Sequence, residues 1–329
     1  MINESSNYIE KSDDFTQQRE SHITTYSELV KEADGEELSK DVWGVAEYKG
    51  ELIPLYIDEG LARDMFTNRI LGNFSGRGLN LESGVKIVDF GGGDGVLLNI
   101  VTRQLTEAGY KGVVGVNIDM NQERLDVMKD KFISTNYIDK QRKIYGVKGN
   151  ISEVIPVQKN SIDAGYSRFA LQYIRKDKQQ GAIKEMLSTL KPGAELVIVW
   201  PIVSDNEDHA TVMDELDANM DSIALDKPLD KVRGNRHLTS IDEVRKMTEN
   251  LGVLCEVGFV NGLQVPYSAE SFANKFKITD KYKLQRLKDF FSNPSFIKMA
   301  QSAGYNVTEE NGKTYWKFKV GVAVLKLNE

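Results

Sequence analysis

The sequence predicts an α/β protein with a mostly parallel sheet of seven strands, an antiparallel last strand and a helical cap. From Leu81 onward, short runs rich in β-branched residues alternate with segments whose apolar residues recur at helical spacing. This alternation is typical of a parallel sheet whose faces are covered by helices. Near the end of the chain, Trp316, Phe318 and Val320 alternate with polar residues, which is the period of a half-buried antiparallel strand.

Seven runs carry the strand pattern, and the helical segments lie between them. We expect strands at residues 85–90, 113–118, 143–149, 163–169, 195–200, 254–260 and 314–327. The helix after the first strand is marked by apolar residues from Val96 to Leu105, and it stops at Gly109. The turn Lys191-Pro192-Gly193 stops the helix that precedes the fifth strand.

Three segments do not fit this alternation. Residues 205–236 and 268–312 are predicted to be helical insertions. Residues 15–80 are predicted to be helical and to lie ahead of the sheet. We therefore divide the chain into an acidic tail with an N-terminal helical cap region, 1–80, and a core, 81–329.

The composition excludes several classes of function. Residues 1–41 contain eleven acidic and four basic residues, so they carry the whole net charge of −7 and leave the rest of the chain neutral. A neutral body lacks the clustered Lys and Arg that grip a phosphate backbone, so no nucleic acid partner is expected. Cys255 is the only cysteine, which excludes an internal disulfide and a multi-cysteine metal site. No run approaches the roughly 18 apolar residues of a membrane helix. The acidic start lacks an apolar signal region. We expect a cytoplasmic protein with no membrane partner and no bound metal.

The glycine-rich stretch from Val88 to Gly95 lies where the first strand ends and a helix begins. Glycines suit a sharp turn that a ligand approaches closely, and ligands of open α/β sheets bind at the carboxyl ends of the strands. Gly91, Gly93 and Gly95 give the spacing G-x-G-x-G, with Gly92 inside the turn. A dinucleotide fingerprint requires G-x-G-x-x-G, and Val96 stands where its last glycine would be. The spacing therefore argues against a nicotinamide cofactor.

Four motifs in this order resemble the class I S-adenosylmethionine-dependent methyltransferases of the small-molecule type, whose fold is Rossmann-like. Asp89 precedes the glycine turn, as the acidic residue of their first motif does. Gly149-Asn150 stands where their third strand commonly ends in Gly-Asp. Residues 161–174 are similar to their fourth strand, and residues 190–193 match their Leu-Lys-Pro-Gly turn. The resemblance covers roughly residues 81–200 and implies S-adenosylmethionine as cofactor.

The resemblance also implies roles for individual residues. The glycine turn would pass under the methionine part of the methyl donor, and Asp89 would help to hold its ammonium group. The ribose would meet Asn117, which stands in the family register, or Asp119 two residues later. Asp119 also resembles the first residue of a helix capping box, so this choice stays open.

Two further groups complete the implied cofactor site. Asn150 would accept a hydrogen bond from the adenine amine, and the backbone N–H of Ile151 would donate one to the ring. Ser167, Arg168 and Phe169, at the end of the fourth strand, would face the transferable methyl group.

The expected function is methyl transfer to O, N or C of a small, partly apolar metabolite. Aromatic residues in the cap region and the second insertion, such as Trp43 and Phe272, are individually more often core residues, but together they predict an apolar lining over the pocket. His237, just before the helix of 240–250, is the best-placed candidate for a general base, although lone histidines are more often structural. The alternatives are a relative that binds the cofactor but catalyses a rearrangement or cyclisation, and a binding or interaction protein. The sequence does not decide the oligomeric state.

Overall fold

The computed structural model describes residues 45–48, 51–54, 62–133, 142–202, 207–233, 237–275, 278–310 and 312–327. These residues contribute ten strands to one mixed sheet. The strands are β1 Val45–Tyr48, β2 Glu51–Pro54, β3 Lys86–Phe90, β4 Val113–Asp119, β5 Arg142–Lys148, β6 Ile162–Arg168, β7 Leu190–Pro201, β8 Leu254–Tyr267, β9 Asn306–Glu310 and β10 Lys313–Lys326.

The strand order across the sheet is β2-β1-β8-β10-β7-β6-β3-β4-β5, with β9 paired to β10. Strands β5, β4, β3, β6 and β7 run parallel, and β10 is antiparallel to both β7 and β8. The predicted Rossmann-like sheet, mostly parallel with an antiparallel last strand, is therefore confirmed. The chain reverses its direction of winding between β3 and β6, which is the position where open α/β sheets bind ligands.

The described helices cover both faces of the sheet. They are α1 Asn68–Gly76, α2 Val96–Glu107, α3 Gln122–Ile133, α4 Lys176–Thr189, α5 Glu207–Leu225, α6 Ile241–Glu249, α7 Ala269–Lys275, α8 Lys281–Ser292 and α9 Pro294–Ser302. A π-helical turn, Arg63–Thr67, leads directly into α1. None of the described helices combines the length and the apolar character that crossing a bilayer requires.

Two apolar layers hold these helices on the sheet. Ile87 of β3 lies in a layer with side chains of α1, α2, α5, α7, α8 and α9. The next residue, Val88, lies in the opposite layer with side chains of α4 and α6. The alternation follows from the period of two in a strand, and both residues are fully buried. The five parallel strands are thus covered on both faces, and their carboxyl edge is left as the place for a site.

The helical expectation for residues 15–80 is wrong for residues 45–48 and 51–54, which are strands. Strands β1 and β2 pair antiparallel, and β1 adds the pair to the edge of β8. The sequence VAEY-KG-ELIP contains the two-residue connection with glycine that favours a hairpin, but each strand has only four residues. Strands this short depend on a neighbouring strand, which local propensity does not reveal.

Two other predicted segments also differ. Asn306–Glu310, inside the second predicted helical insertion, forms β9 and pairs with β10. The predicted turn at 190–193 is the beginning of β7, and the pairing of β7 with β6 shifts register there. Gly193 absorbs the irregularity with a left-handed φ of 73°. The first insertion is helical as expected, since it contains α5.

The aromatic residues of the second insertion pack within the same apolar layer as Ile87. The Trp316 ring of β10 lies 4.7 Å from the ring of Phe291 and 5.3 Å from that of Phe290. Phe272 and Trp316 are completely buried. Phe272 is therefore a core residue that stabilises the helical layer, and its side chain does not contribute to the apolar lining predicted for this insertion. Trp43 lies outside the described residues.

Candidate functional site

The glycine turn joins β3 to α2 at the carboxyl edge of the sheet. Gly91, Gly93 and Gly95 have left-handed φ values of 73°, 57° and 71°. A Cβ on Gly91 would lie 2.5 Å from the Cβ of Ala170, and one on Gly95 would lie 2.6 Å from the side chain of Met128. Packing within the protein thus requires glycine at 91 and 95. A Cβ on Gly93 would meet only the side chain of Arg124, at an ordinary van der Waals distance of 3.7 Å, so packing within the protein does not by itself require glycine there.

A buried polar pair lies directly beneath the turn. Asp89 of β3 and Asn117 of β4 are register partners on neighbouring parallel strands. Both are at most 1% exposed. A Cβ on Gly92 would lie 2.3 Å from Asn117 Oδ1 and 2.5 Å from Asp89 Cγ. Gly92 is therefore required by the two side chains below it.

Asn117 and Asp119 hold Gly93 from two sides. Asn117 Nδ2 donates to the carbonyl oxygen of Gly93 at 2.7 Å, and the N–H of Gly93 donates to Asp119 Oδ2 at 2.8 Å. Asn117 is completely buried, whereas Asp119 is partly exposed at the end of β4. The two residues that the sequence left as alternatives for the ribose therefore cooperate in fixing the turn, and Asp119 is the one at the surface.

The capping interpretation of Asp119 is wrong in detail. The residue that caps α3 is Asn121, whose Oδ1 accepts from the N–H of Glu123 at 3.0 Å. Asp119 Oδ1 accepts from the N–H of Asn121 at 2.8 Å. Asp119 thus links the glycine turn to the beginning of the helix, with one backbone N–H on each carboxylate oxygen.

Asp89 is electrostatically unusual. Burial raises the pKa of its carboxyl to about 8, while the positive charge of Arg168 opposes that rise and the negative charge of Asp119 adds to it. Asp89 Oδ1 has no hydrogen-bond partner among the described residues. A buried carboxyl normally has hydrogen bonds or a cation beside it. The position therefore fits a ligand that brings a hydrogen-bond donor or a positive charge.

The end of β6 presents only one of its three expected residues to the site. Ser167 is buried, and its hydroxyl donates to the carbonyl oxygen of Phe90 at 2.9 Å. The Phe169 side chain is also buried, on a left-handed backbone with φ 53°. Arg168 stays partly exposed, with its guanidinium 5.9 Å from the ring centre of Phe169. Burial lowers the pKa of Arg168, and the charge of Asp89 opposes that change.

On the side expected for adenine, Asn150 is engaged in a local turn. Its Oδ1 accepts from both the N–H and the hydroxyl of Ser152, at 3.0 and 2.8 Å. Ile151 is buried next to the glycine turn, with its Cδ1 3.7 Å from where a Cβ of Gly91 would lie. Ile151 therefore borders the turn, whereas the side-chain oxygen of Asn150 already accepts two hydrogen bonds within its own turn.

His237 is docked against the segment that follows β6. Its N–H donates to the carbonyl oxygen of Gln172 at 2.6 Å. Its carbonyl oxygen accepts from Nε2 of Gln179 at 2.9 Å, and the same amide lies 3.1 Å from the carbonyl oxygen of Ile174. Gln179 is buried, so it fixes the segment of His237 at the carboxyl edge of the sheet.

Residues 88–198 match the family model described as a methyltransferase domain. They form a class I methyltransferase domain. S-adenosylmethionine is the methyl donor of this class, so the cofactor expected from the sequence is confirmed for the domain family. No curated protein matches the sequence.

Two solved structures are similar to the chain in fold. One is a protein from Bacillus halodurans, provisionally assigned as a methyltransferase, with 17% identity and a TM-score of 0.55 over 80% of this chain and 100% of that chain. The other is the YcgJ protein of Bacillus subtilis, with 15% identity and a TM-score of 0.53 over 80% and 100% of the two chains. At these identities the similarity concerns the fold alone.

Sequence reasoning missed two residues of the methyltransferase domain that lie at this edge. Tyr166 is completely buried on β6, in register with Asp89. Arg124 of α3 is buried beside Gly93, and its charge opposes the rise that burial causes in the pKa of Asp119. Neither residue gave a clear signal in the sequence, because Tyr166 stands in a strand run that also contains Asp163 and Arg168, and Arg124 looked like an ordinary exposed helix residue.

The hydrogen bonds that Asn117 and Asp119 make with Gly93 lead to a testable prediction for Asn117. We expect Asn117→Asp to lower the free energy of unfolding by about 1–3 kcal/mol, because a carboxylate cannot donate to Gly93 and adds a second buried acid beside Asp89. Thermal and urea denaturation measure this. Asn150→Asp is the matched control, because its oxygen keeps its role as acceptor and the bond that it loses, from Nδ2 to Glu153 Oε1 at 3.2 Å, is exposed to solvent, so we expect a smaller change there. Equal stability of the two variants would contradict a stabilising role for the hydrogen bond from Asn117 to Gly93.

Proposed function

We propose that this chain binds S-adenosylmethionine at the carboxyl edge of β3, β4 and β6 and transfers its methyl group to a small-molecule acceptor. The observation that carries the proposal is the buried Asp89 carboxyl beneath a glycine turn, with an oxygen that lacks a partner among the described residues. The methyltransferase domain that includes this turn supplies the reaction class.

The residues at the edge fit the chemical groups of this methyl donor. Asp89 would receive the ammonium group, because its unpartnered oxygen is a hydrogen-bond acceptor in a buried site. Gly93 would allow close approach of the ligand to the backbone, because it has no side chain and packing within the protein does not account for its glycine. Asp119 would receive the ribose hydroxyls, because each of its oxygens accepts one backbone N–H and keeps a second lone pair. Asn117 lies under Gly92 with its Nδ2 already donating to Gly93, which favours Asp119 over Asn117 in this role.

The methyl donor supplies an activated methyl group on its sulfonium, so the protein needs mainly to orient the acceptor and exclude water. Arg168 is partly exposed at the end of β6 and would border the acceptor. His237 would act as a general base only for an acceptor that must lose a proton. The hydrogen bonds of its backbone to Gln172 and Gln179 keep it at this edge.

A small, partly apolar metabolite is the acceptor class that we propose. Beyond residue 41 the acidic and basic residues balance, which disfavours a nucleic acid. The acceptor atom would be O, N or C.

Thermal denaturation with added nucleotides tests the cofactor. S-adenosylmethionine and S-adenosylhomocysteine should raise the melting temperature, because a ligand that binds only the folded state stabilises it by mass action. NAD and ATP should do so far less. Absence of a shift at millimolar S-adenosylmethionine would overturn the proposal.

Transfer of a labelled methyl group tests the reaction. The protein is incubated with labelled S-adenosylmethionine and a fractionated cell extract, and label should appear in the small-molecule fraction. Label in the polymer fraction would overturn the acceptor class. Binding without any transfer would favour the alternative of a cofactor-binding protein that does not methylate.

A further inference from the structure

Three polar side chains form a row under the glycine turn. Asn117 of β4, Asp89 of β3 and Tyr166 of β6 are register partners on adjacent parallel strands. Each is at most 1% exposed. In each, one oxygen has no hydrogen-bond partner among the described residues: Asn117 Oδ1, Asp89 Oδ1 and the Tyr166 hydroxyl. Buried polar atoms are nearly always hydrogen-bonded, so three exceptions in one row indicate a missing complement.

The chemistry of the row defines that complement. Two of the unpartnered atoms are acceptors, and the third is a hydroxyl that accepts as well as donates. Burial, reinforced by the nearby charge of Asp89, raises the pKa of the Tyr166 phenol well above its ordinary value, so the hydroxyl stays neutral. A group with several N–H donors and a positive charge satisfies such a row best, and a primary ammonium has three N–H donors.

The positions of the three oxygens are not equivalent. Asn117 Oδ1 and Asp89 Oδ2 lie directly under Gly92, within 2.6 Å of where its Cβ would be. Asp89 Oδ1 is the other oxygen of that carboxyl. Tyr166 belongs to the next strand, with its ring 5.1 Å from the ring of Phe66 in the π-helical turn. Asp89 Oδ1 and the Tyr166 hydroxyl are therefore the pair that a ligand group would join.

We propose that the Tyr166 hydroxyl binds the α-ammonium group of the methyl donor beside Asp89, and thereby positions the amino-acid tail of the cofactor. This inference rests on the proposed function. It adds a residue of β6 to a subsite that the glycine motif assigns to β3 alone. Tyr166 is a positioning residue, because it touches the end of the cofactor remote from the reacting methyl group.

Tyr166→Phe tests this role, because it removes the hydroxyl and keeps the ring against Phe66. Calorimetry compares S-adenosylmethionine with 5′-methylthioadenosine, which has the nucleoside and the thioether but no amino-acid tail. We expect affinity for S-adenosylmethionine to fall about tenfold, as for loss of one hydrogen bond to a charged group. Affinity for 5′-methylthioadenosine should change less than about twofold. Tyr110→Phe is the matched control, because Tyr110 is also buried but packs on Phe74 of α1.

The stability of the empty variant provides a second measurement. Because the hydroxyl lacks a partner among the described residues, its removal should leave the melting temperature unchanged or higher. Equal loss of affinity for both ligands, or unchanged affinity for S-adenosylmethionine, would overturn the inference and leave the proposed function intact. Failure of the parent protein to bind S-adenosylmethionine would overturn both.

Discussion

Replacement of Gly92 by alanine is expected to weaken S-adenosylmethionine binding by at least about a hundredfold, which corresponds to about 2.7 kcal/mol. The new methyl group would lie 2.3 Å from Asn117 Oδ1 and 2.5 Å from Asp89 Cγ. Neither side chain can move aside easily, because Asn117 is hydrogen-bonded to the carbonyl oxygen of Gly93 and Asp89 lies at the end of a buried strand. The turn itself must therefore rise from the sheet, and the positions that would bind the methyl donor move with it.

Gly72→Ala is the matched control for this change. A Cβ on Gly72 meets no atom within 4 Å, and the residue lies within α1. Alanine there should stabilise the protein by about 0.5–1 kcal/mol, since glycine is costly inside a helix. Calorimetric titration with S-adenosylmethionine and thermal denaturation of both variants make the comparison. Normal affinity of a folded Gly92→Ala protein would mean that the turn does not position the methyl donor.

The sequence predicted the glycine turn because its determinants are local. Asp89, Gly91, Gly93 and Gly95 stand within seven consecutive residues, at the junction of a strand and a helix. The alternation of elements after Leu81 was equally local, and it predicted the parallel sheet. Gly92 shows the limit of such reasoning, because one of the two side chains that require glycine there, Asn117, belongs to β4, and no pattern within the turn reveals that neighbour.

The choice between Asn117 and Asp119 depended on depth in the fold. Both residues point to the same face of β4, because the period of a strand is two. Asn117 is in register with Asp89 and is covered by the turn, whereas Asp119 is one step nearer to the end of the strand and remains partly exposed. The position of a strand end relative to its neighbours is a property of the assembled sheet.

Contacts between segments that are far apart in the chain could not be predicted from the sequence. The docking of His237 depends on Gln179, which precedes it by 58 residues, and Tyr166 becomes a candidate only through its register with Asp89. The hairpin of β1 and β2 and the short strand β9 likewise depend on β8 and β10. Strands of this kind are stabilised by cross-strand pairing, so their own residues give only a weak signal.

Replacement of Asp89 by asparagine is expected to stabilise the empty protein and to weaken S-adenosylmethionine binding by at least about tenfold. The stabilisation follows from the raised pKa of about 8, which shows that burial disfavours the charged form of Asp89. An amide at position 89 is neutral at every pH, and its N–H can donate to Asn117 Oδ1, which now lacks a partner among the described residues. Binding weakens because a neutral amide pairs poorly with an ammonium group.

The pH dependence has a defined sign. Between the ordinary pKa of 3.8 and about 8, the folded parent holds one more proton on Asp89 than the unfolded chain does. The contribution of Asp89 to the free energy of unfolding therefore falls as pH rises through this window. Asp89→Asn lacks this dependence. The amount by which its melting temperature exceeds that of the parent should therefore grow from pH 5 to pH 8. Binding near pH 7 should release a proton from the parent and none from the variant, as calorimetry in buffers of different ionisation enthalpy measures.

Asp163→Asn makes the same chemical change at an equally buried carboxyl and should have the opposite effect. Asp163 Oδ1 lies 2.8 Å from Nζ of Lys191, and its Oδ2 accepts from the N–H of Lys86 at 2.9 Å. The amide would lose the ion pair, so the variant should be less stable than the parent by about 1–3 kcal/mol. If Asp89→Asn is instead destabilised at pH 8 in the same way as Asp163→Asn, then Asp89 is held as a charged group in the empty site. In that case the site does not depend on a cationic ligand to satisfy that carboxylate.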